Sequence, residues 1–476
     1  MSYDCELRQR AEQAVDMYFE NVKQDPYFPG YHLAPPSGLL NDPNGWIQWK
    51  GRYHLFFQWM PFHTGHGAKF WGHFSSRDLV NWRYEPIALT PADWFDKSGC
   101  YSGSAVNADG MLKVFYTGNV KDEQGNRETY QCLAESADGF HFEKKGVKVR
   151  LPEGYTPHFR DPKVWKHEDQ WYMVIGAQKL DKKGCAVLLK SAGLEDWTCI
   201  GVLSHANAEP LENLGYMWEC PDLFSLNERD VLLFSPQGLE ADGIDYNNHY
   251  QSGYVIGTVD YETAAYKHGK FLELDRGFEF YAPQTTLDDN GRRILIGWMG
   301  VPDQNEAEQP TVPNGWVHQM TLPRKLELRN DKILQHPLDE MKLLRIGEAI
   351  DRQFDRKYQT SISKTSEIDI NGDIESLNIF GYADLYFNQA EGVLTLERPS
   401  YVNGIKETRS CCLPSGLNRL HIFVDHSSLE IFVNDGEEVF TSRMFAPNGN
   451  DSLTINTNKS SHVQIWDLKN DTIHIR

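Results

Sequence analysis

Five times, about 60 residues apart, a polar turn runs into a short apolar stretch: Gly51–Trp59, Gly110–Gly118, Asp169–Ala177, Arg229–Gln237 and Gly291–Met299. A fixed period of this length marks a chain built from repeated units, none of which can bury its apolar face alone; repeats made only of strands point to a propeller. Roughly eight to ten residues ahead of each stretch lies a second recurring slot. It is filled by Asn41-Asp42-Pro43-Asn44-Gly45, Tyr101-Ser102-Gly103-Ser104, Arg160-Asp161-Pro162, Glu219-Cys220-Pro221-Asp222 and Tyr281-Ala282-Pro283-Gln284. Blades around one axis bring such slots together. Asp42, Asp161 and Glu219, far apart in sequence, are therefore expected to share one pocket.

A third feature keeps the same period. Ser76-Arg77-Asp78-Leu79-Val80-Asn81-Trp82, Ser136-Ala137-Asp138-Gly139-Phe140-His141-Phe142 and Ser191-Ala192-Gly193-Leu194-Glu195-Asp196-Trp197 read as turns entering an outer strand. Helical periodicity is scarce after residue 25. The expected fold is all-β: a five-bladed β-propeller followed by a C-terminal β-sandwich. A generic antiparallel sandwich, the competing reading, would not repeat several features at one period. Leu7, Ala11, Ala14, Val15, Tyr18 and Phe19 fall at helical spacing and predict an N-terminal helical extension over 1–26, packed on the body. The propeller is expected over 27–330, its last blade ending near Leu328. Pro337–Phe354, rich in charge and Leu, predicts a linker with one helix within 331–358. Arg419–Val424, Ser428–Val433 and Glu438–Arg443 read as a meander turning at Asn434-Asp435-Gly436, which puts the sandwich over 359–476.

Composition narrows the functions. Lys and Arg number 47 against 67 Asp and Glu, a net charge of −20. This argues against nucleic acid and anionic membrane as partners, both of which select clustered Lys and Arg. An anionic substrate would have to be held by local groups. The eight cysteines show neither zinc-ligand spacing nor a disulfide framework, so free thiols in a reducing compartment are expected. No apolar run approaches a membrane span, and the charged N-terminus lacks the apolar core of a secretion signal. A cytoplasmic location is expected. The sequence does not report an oligomeric state.

Two carboxylates flanking a glycosidic bond suffice for its hydrolysis. Singly, each slot has a plain reading: Asn41–Gly45 as a turn, Arg160-Asp161 as an ion pair. Three acids facing one axis would repel one another, and such a cluster is expected where charge is used. Glu219, between Trp218 and Cys220, is expected to be partly desolvated, which favours an acid role. This chemistry needs no metal and no organic cofactor, and His63 and His66 lack the further ligand of a metal site.

The four stretches around Asp42, Tyr101-Ser102-Gly103-Ser104-Ala105, Phe159-Arg160-Asp161-Pro162 and Trp218-Glu219-Cys220-Pro221-Asp222 together resemble glycoside hydrolase family 32, the β-fructofuranosidases. The similarity continues through Phe280-Tyr281-Ala282-Pro283-Gln284, Gly297-Trp298-Met299-Gly300 and Phe432-Val433-Asn434-Asp435-Gly436, in the family's order. It is nearest to the bacterial intracellular members that hydrolyse sucrose 6-phosphate. The resemblance implies a five-bladed propeller with a C-terminal sandwich, in agreement with the repeat. It implies Asp42 as the nucleophile toward the anomeric C2 of the fructosyl unit and Glu219 as general acid, then base. Asp161, with Arg160 beside it, would stabilise the transition state. A retaining reaction through a fructosyl ester would set the Asp42 and Glu219 carboxyls about 5–5.5 Å apart. Asn41, Gln58, Trp71, Tyr101 and Ser102 are implied substrate contacts, with Leu39 and Leu40 beside them and Tyr281 and Trp298 as pocket wall. Leu39 stands where many secreted members carry Trp, and Tyr101 where many carry Phe, so the wall beside fructose is expected to differ. His63, His66 and Lys69 form either a grip for the 6-phosphate or a solvated loop. Four readings stay open: hydrolysis of sucrose 6-phosphate, a sucrose invertase without phosphate preference, a fructosyltransferase, and a non-catalytic sugar-binding propeller.

Overall fold

The apolar stretches of the repeat become the second strands of five successive sheets: Arg52–Met60, Met111–Lys121, Gln170–Lys179, Arg229–Gln237 and Arg293–Met299. A computed structural model, which describes residues 2–475, pairs each of them antiparallel with a first strand that carries the recurring slot. Those first strands are Gly38–Trp49, Cys100–Ala108, Tyr155–His167, Met217–Leu226 and Tyr281–Leu287. They touch one another in cyclic order, the fifth returning to the first. The sheets therefore stand around a common axis, the arrangement of a β-propeller. The second strands are apolar on both faces because each blade is covered by a neighbour on either side. Within Gln170–Lys179, Met173 and Ile175 pack into one core cluster and Val174 into the next. The ring closes where Trp316–Val317 runs parallel to Gly38 and Leu39 of the first sheet.

Every first strand is bulged at its slot: the register slips between Leu40 and Pro43, Tyr101 and Gly103, Glu219 and Asp222, Tyr281 and Gln284, and between Arg160 and Lys163, which face Gly176 and Val174. A bulge inserts an unpaired residue and re-aims side chains. Asp161, Cys220 and Ala282 take left-handed backbone there, with φ of 65°, 47° and 47°.

After the fifth sheet come two six-stranded sheets packed face to face, one ending in the meander Arg419–Asp425, Ser428–Val433 and Glu438–Arg443. Asn434 and Asp435 form its turn in left-handed conformation. The core between the sheets is aliphatic, with Ile368, Ile422, Ile431, Leu394 and Ile455 all essentially inaccessible. The sandwich grips the propeller through a buried polar network. His32 bonds Asp425 and Glu430, and Arg324 bonds Glu430, Asp275, Gln335 and Thr441. Contact is close enough that a Cβ on Gly277 would lie 1.9 Å from the Thr441 carbonyl oxygen.

Three expectations need correction. The last blade does not end near Leu328. Asn330 and Asp331, both at positive φ, turn the chain into a further strand, Lys332–Pro337. The predicted linker helix is absent: Asp339–Leu344 is a short 3₁₀ turn and Arg345–Phe354 is an edge strand paired with Ser461–Leu468. Gly347, at φ 68°, breaks helical geometry, and Leu343, Ile346 and Ile350 face solvent, so no surface buries the apolar stripe. The N-terminal helix spans Tyr3–Lys23, capped by Ser2, and buries Leu7, Ala11, Ala14, Val15 and Val22; Tyr18 is exposed instead. Among the described residues no helix is long and apolar enough to cross a membrane. All eight cysteines are free.

Candidate active site

The bulges turn the three acids into one pocket of about 410 Å³, whose lining includes Asp42, Asp161 and Glu219. A larger groove of about 650 Å³, between propeller and sandwich, holds none of them. Asp42 is gripped by three side-chain donors. Ser102 donates to Oδ2 at 2.5 Å, Gln58 to the same oxygen at 2.8 Å, and Asn41 to Oδ1 at 3.2 Å. The Cys220 thiol points at Oδ2 from 3.7 Å. Burial raises the Asp42 pKa; the Ser102 hydrogen bond opposes the shift and the Glu219 charge adds to it.

Glu219 is held by charge and hydrogen bonds rather than by the apolar walls its neighbours in sequence suggest. Arg160 reaches Oε1 with Nε at 3.1 Å and Nη2 at 2.5 Å, while Gln237 and Tyr281 donate to Oε2 at 2.9 and 2.8 Å. Arg160 also bonds His158 Nδ1 at 2.9 Å. Burial first, and then the positive charge of Arg160, push His158 down to about 4, so it accepts as a neutral ring. Asp161 receives the Cys220 amide at 3.0 Å, and its own amide donates to Thr117 at 2.9 Å. Burial raises the Asp161 pKa; Arg160 opposes this, while Glu219 and Asp42 reinforce it. The three carboxylates thus interact, and each has its own set of donors.

Asn41, Gln58, Tyr101, Arg160, Tyr281 and Trp298 all line this pocket, and Ser102 stands directly behind Asp42. Leu39, Leu40 and Trp71 do not. Leu39 packs with Met60 and Val317 and Leu40 enters the central core, both on a strand covered by neighbouring blades. Trp71 is fully buried, its Nε1 bonded to the Tyr101 carbonyl at 3.1 Å, and so supports the pocket from behind. Of the loop residues, His66 and Lys69 line the pocket and His63 does not. His66 pairs with Glu306 at 3.0 Å. Lys69 is 3% exposed and its ammonium has no hydrogen-bond partner. Burial brings its pKa down to about 7, against the pull of Glu306 and Asp42. Sequence reasoning missed Gln237, Lys121 and Arg127, which also line the pocket. Gln237 closes one of the five recurring strands, a position where a polar residue was itself a signal.

Residues 32–337 match the glycosyl hydrolases family 32 N-terminal domain, and residues 359–469 match the family 32 C-terminal domain. The chain belongs to family 32. Among curated family 32 relatives, the sucrose-6-phosphate hydrolase of Bacillus subtilis (strain 168) is 54% identical, covering 98% of this chain and 99% of that one. That of Salmonella typhimurium is 46% identical, over 91% and 92%. Among solved family 32 structures, a Bombyx mori β-fructofuranosidase superposes with a TM-score of 0.88 at 34% identity, covering 98% of this chain and 99% of that one. A mutant of it is known in complex with sucrose. The sucrose-6-phosphate hydrolase from Lactobacillus gasseri superposes with a TM-score of 0.89 at 33% identity, over 97% of both chains.

Proposed function

We propose that the protein is a retaining β-fructofuranosidase that hydrolyses sucrose 6-phosphate and sucrose, releasing fructose, with its chemistry in the propeller and the sandwich as a buttress. The observation that carries the proposal is the convergence of Asp42, Asp161 and Glu219 on one pocket, each held by different donors. Ser102 and Gln58 fix one carboxylate oxygen of Asp42, which directs the other toward the anomeric C2. Glu219, oriented by Tyr281 and Gln237, protonates the glycosidic oxygen as the C2–O bond breaks and Asp42 forms the fructosyl ester. The same carboxylate then takes a proton from water, which attacks C2 and releases Asp42. Asp161 accepts hydrogen bonds from fructose hydroxyls as positive charge grows on the ring.

The buried polar atoms support a polyhydroxylated ligand. Lys69 Nζ, Trp298 Nε1 and Asn41 Oδ1 have no hydrogen-bond partner among the described residues, and all three residues line the pocket. Buried donors and acceptors are rarely left unpaired, and a sugar ring offers both complements. That the curated relatives are named for sucrose 6-phosphate supports the phosphorylated substrate over plain sucrose here. A phosphorylated sugar is confined to the compartment that makes it, so a cytoplasmic site of action belongs to this proposal. The test is kcat/KM for sucrose 6-phosphate and sucrose, side by side. A clear preference for the phosphorylated sugar supports the proposal. Equal or better use of sucrose makes the protein an invertase, and activity on neither overturns the hydrolase reading.

A further inference from the structure

Lys121 and Arg127 stand directly opposite each other across the antiparallel ladder at the end of a hairpin in the second sheet. Facing cross-strand residues project to the same side with Cβ atoms about 5 Å apart, and like charges there destabilise the ladder. Here both line the pocket of the three acids. Among the described residues neither side chain has a hydrogen bond or an ion pair. Elsewhere in the sheet, Arg150 lies over the Tyr130 ring and the lysines are paired. Lys113, Lys144, Lys145 and Lys148 each meet a carboxylate. Two facing cations without a carboxylate partner, in a chain of net charge −20, suit an anion at this edge of the pocket.

The local scaffold holds the pair in place. Asp122 accepts from the Gln124 and Asn126 amides and from the Asn126 side chain, which rigidifies the turn and occupies its acid. Glu128 is occupied by Tyr130. Arg127 lies over the Tyr101 ring at 5.8 Å, which aims the guanidinium along the pocket wall. Burial, and next the nearby Arg160 charge, lower the Arg127 pKa, while Tyr101, Glu219 and Asp161 favour its charge. Arg127 thus feels the charges of Glu219 and Asp161, whereas Lys69 feels those of Glu306 and Asp42.

We infer that Lys121 and Arg127 clamp the 6-phosphate of the leaving glucosyl unit, an inference that rests on the substrate reading above. Glu219 protonates the oxygen that departs with that unit, so the departing sugar lies toward Arg127. A guanidinium and an ammonium match a phosphate dianion in charge and in donors. Lys69, which feels the Asp42 charge, is left to serve the fructosyl side.

The test is the ratio of kcat/KM for sucrose 6-phosphate to that for sucrose, which cancels general damage to folding or chemistry. In the Lys121→Ala/Arg127→Ala double variant the ratio should drop roughly 100-fold, as expected for two charge-assisted contacts. Arg127→Lys should retain part of it. Glucose 6-phosphate should inhibit sucrose hydrolysis by the parent and far less by the double variant, and the parent's inhibition should weaken with salt. Retention of the ratio in the double variant overturns the inference. So does a collapse of the ratio in Lys69→Met alone, which would put the phosphate beside Asp42. A parent enzyme without preference for sucrose 6-phosphate would sink the substrate reading itself, and that is visible before any variant is made.

Discussion

Asp42, the proposed nucleophile, sits in surroundings that resist its charge. Burial raises its pKa and Glu219 adds to the shift, while the Ser102 and Asn41 hydrogen bonds pull it back. In the proposed mechanism the ionised form attacks, so this group is expected to set the acid limb of activity. Ser102→Ala removes a donor that favours the anion. The acid limb of kcat/KM should then move to higher pH, and kcat at its optimum should fall on the order of ten-fold, the worth of one hydrogen bond to a charged group. A pH–rate profile checks both; an unchanged acid limb would mean that Asp42 is not the group titrating there.

At the scale of the strand, the bulge is the functional unit. Aligned on Pro43, Pro162 and Pro221, Asp42 and Asp161 occupy one repeat position and Glu219 the position before it. Alternating strand geometry would aim these two positions at opposite faces, and the bulge brings both into one pocket. Gly176 sets the spacing. It lies opposite Arg160 in the ladder, and a Cβ there would come 2.1 Å from the Trp218 carbonyl oxygen, next to Glu219. Gly176→Ala should cost about 1–3 kcal/mol by overpacking, lowering Tm, and should lower kcat more than KM because it parts Arg160 from Glu219. The repeat, its strands and the convergence of the acids were legible in sequence because apolar stretches and recurring slots keep one fixed spacing. The Arg345–Phe354 strand was not, since its apolar residues suit a helix and only long-range pairing with Ser461–Leu468 decides its form. The burial of Leu39 and Leu40 was hidden for a similar reason: nearness in sequence to Asp42 says nothing about which side of a blade a residue faces. Lys121 and Arg127 lie outside every recurring slot and meet the pocket only through the hairpin.

Across the whole molecule, buried polar contacts tie propeller to sandwich, among them the network around Glu430 and the Arg398–Glu279 pair. Burial works against a charged His32, yet its bonds to Asp425 and Glu430 outweigh this and lift its pKa to about 9. Burial also works against the Asp425 anion, and His32 holds its pKa down to about 2. A raised histidine pKa contributes stability that is complete below the unfolded value near 6.5 and lost as pH rises through about 9. The lowered Asp425 contributes above its ordinary 3.8, and that share is lost as pH falls toward 2. Tm should therefore decline between pH 7 and 9.5 in the parent, and His32→Gln should flatten that decline. Glu430→Ala leaves His32 and Arg324 short of a buried partner and should destabilise by roughly 3–5 kcal/mol, with loss of domain docking before loss of either core.

In the proposed mechanism Asp42 carries the fructosyl group between two displacements governed by Glu219. The direct measurement is intact-peptide mass spectrometry of Glu219→Gln incubated with β-fructofuranosyl fluoride, whose leaving group needs no acid while hydrolysis of the ester still needs the base. A stoichiometric gain of one fructosyl unit is expected on the peptide that contains Asp42. Fluoride release with no adduct, or an adduct on Asp161, would contradict it.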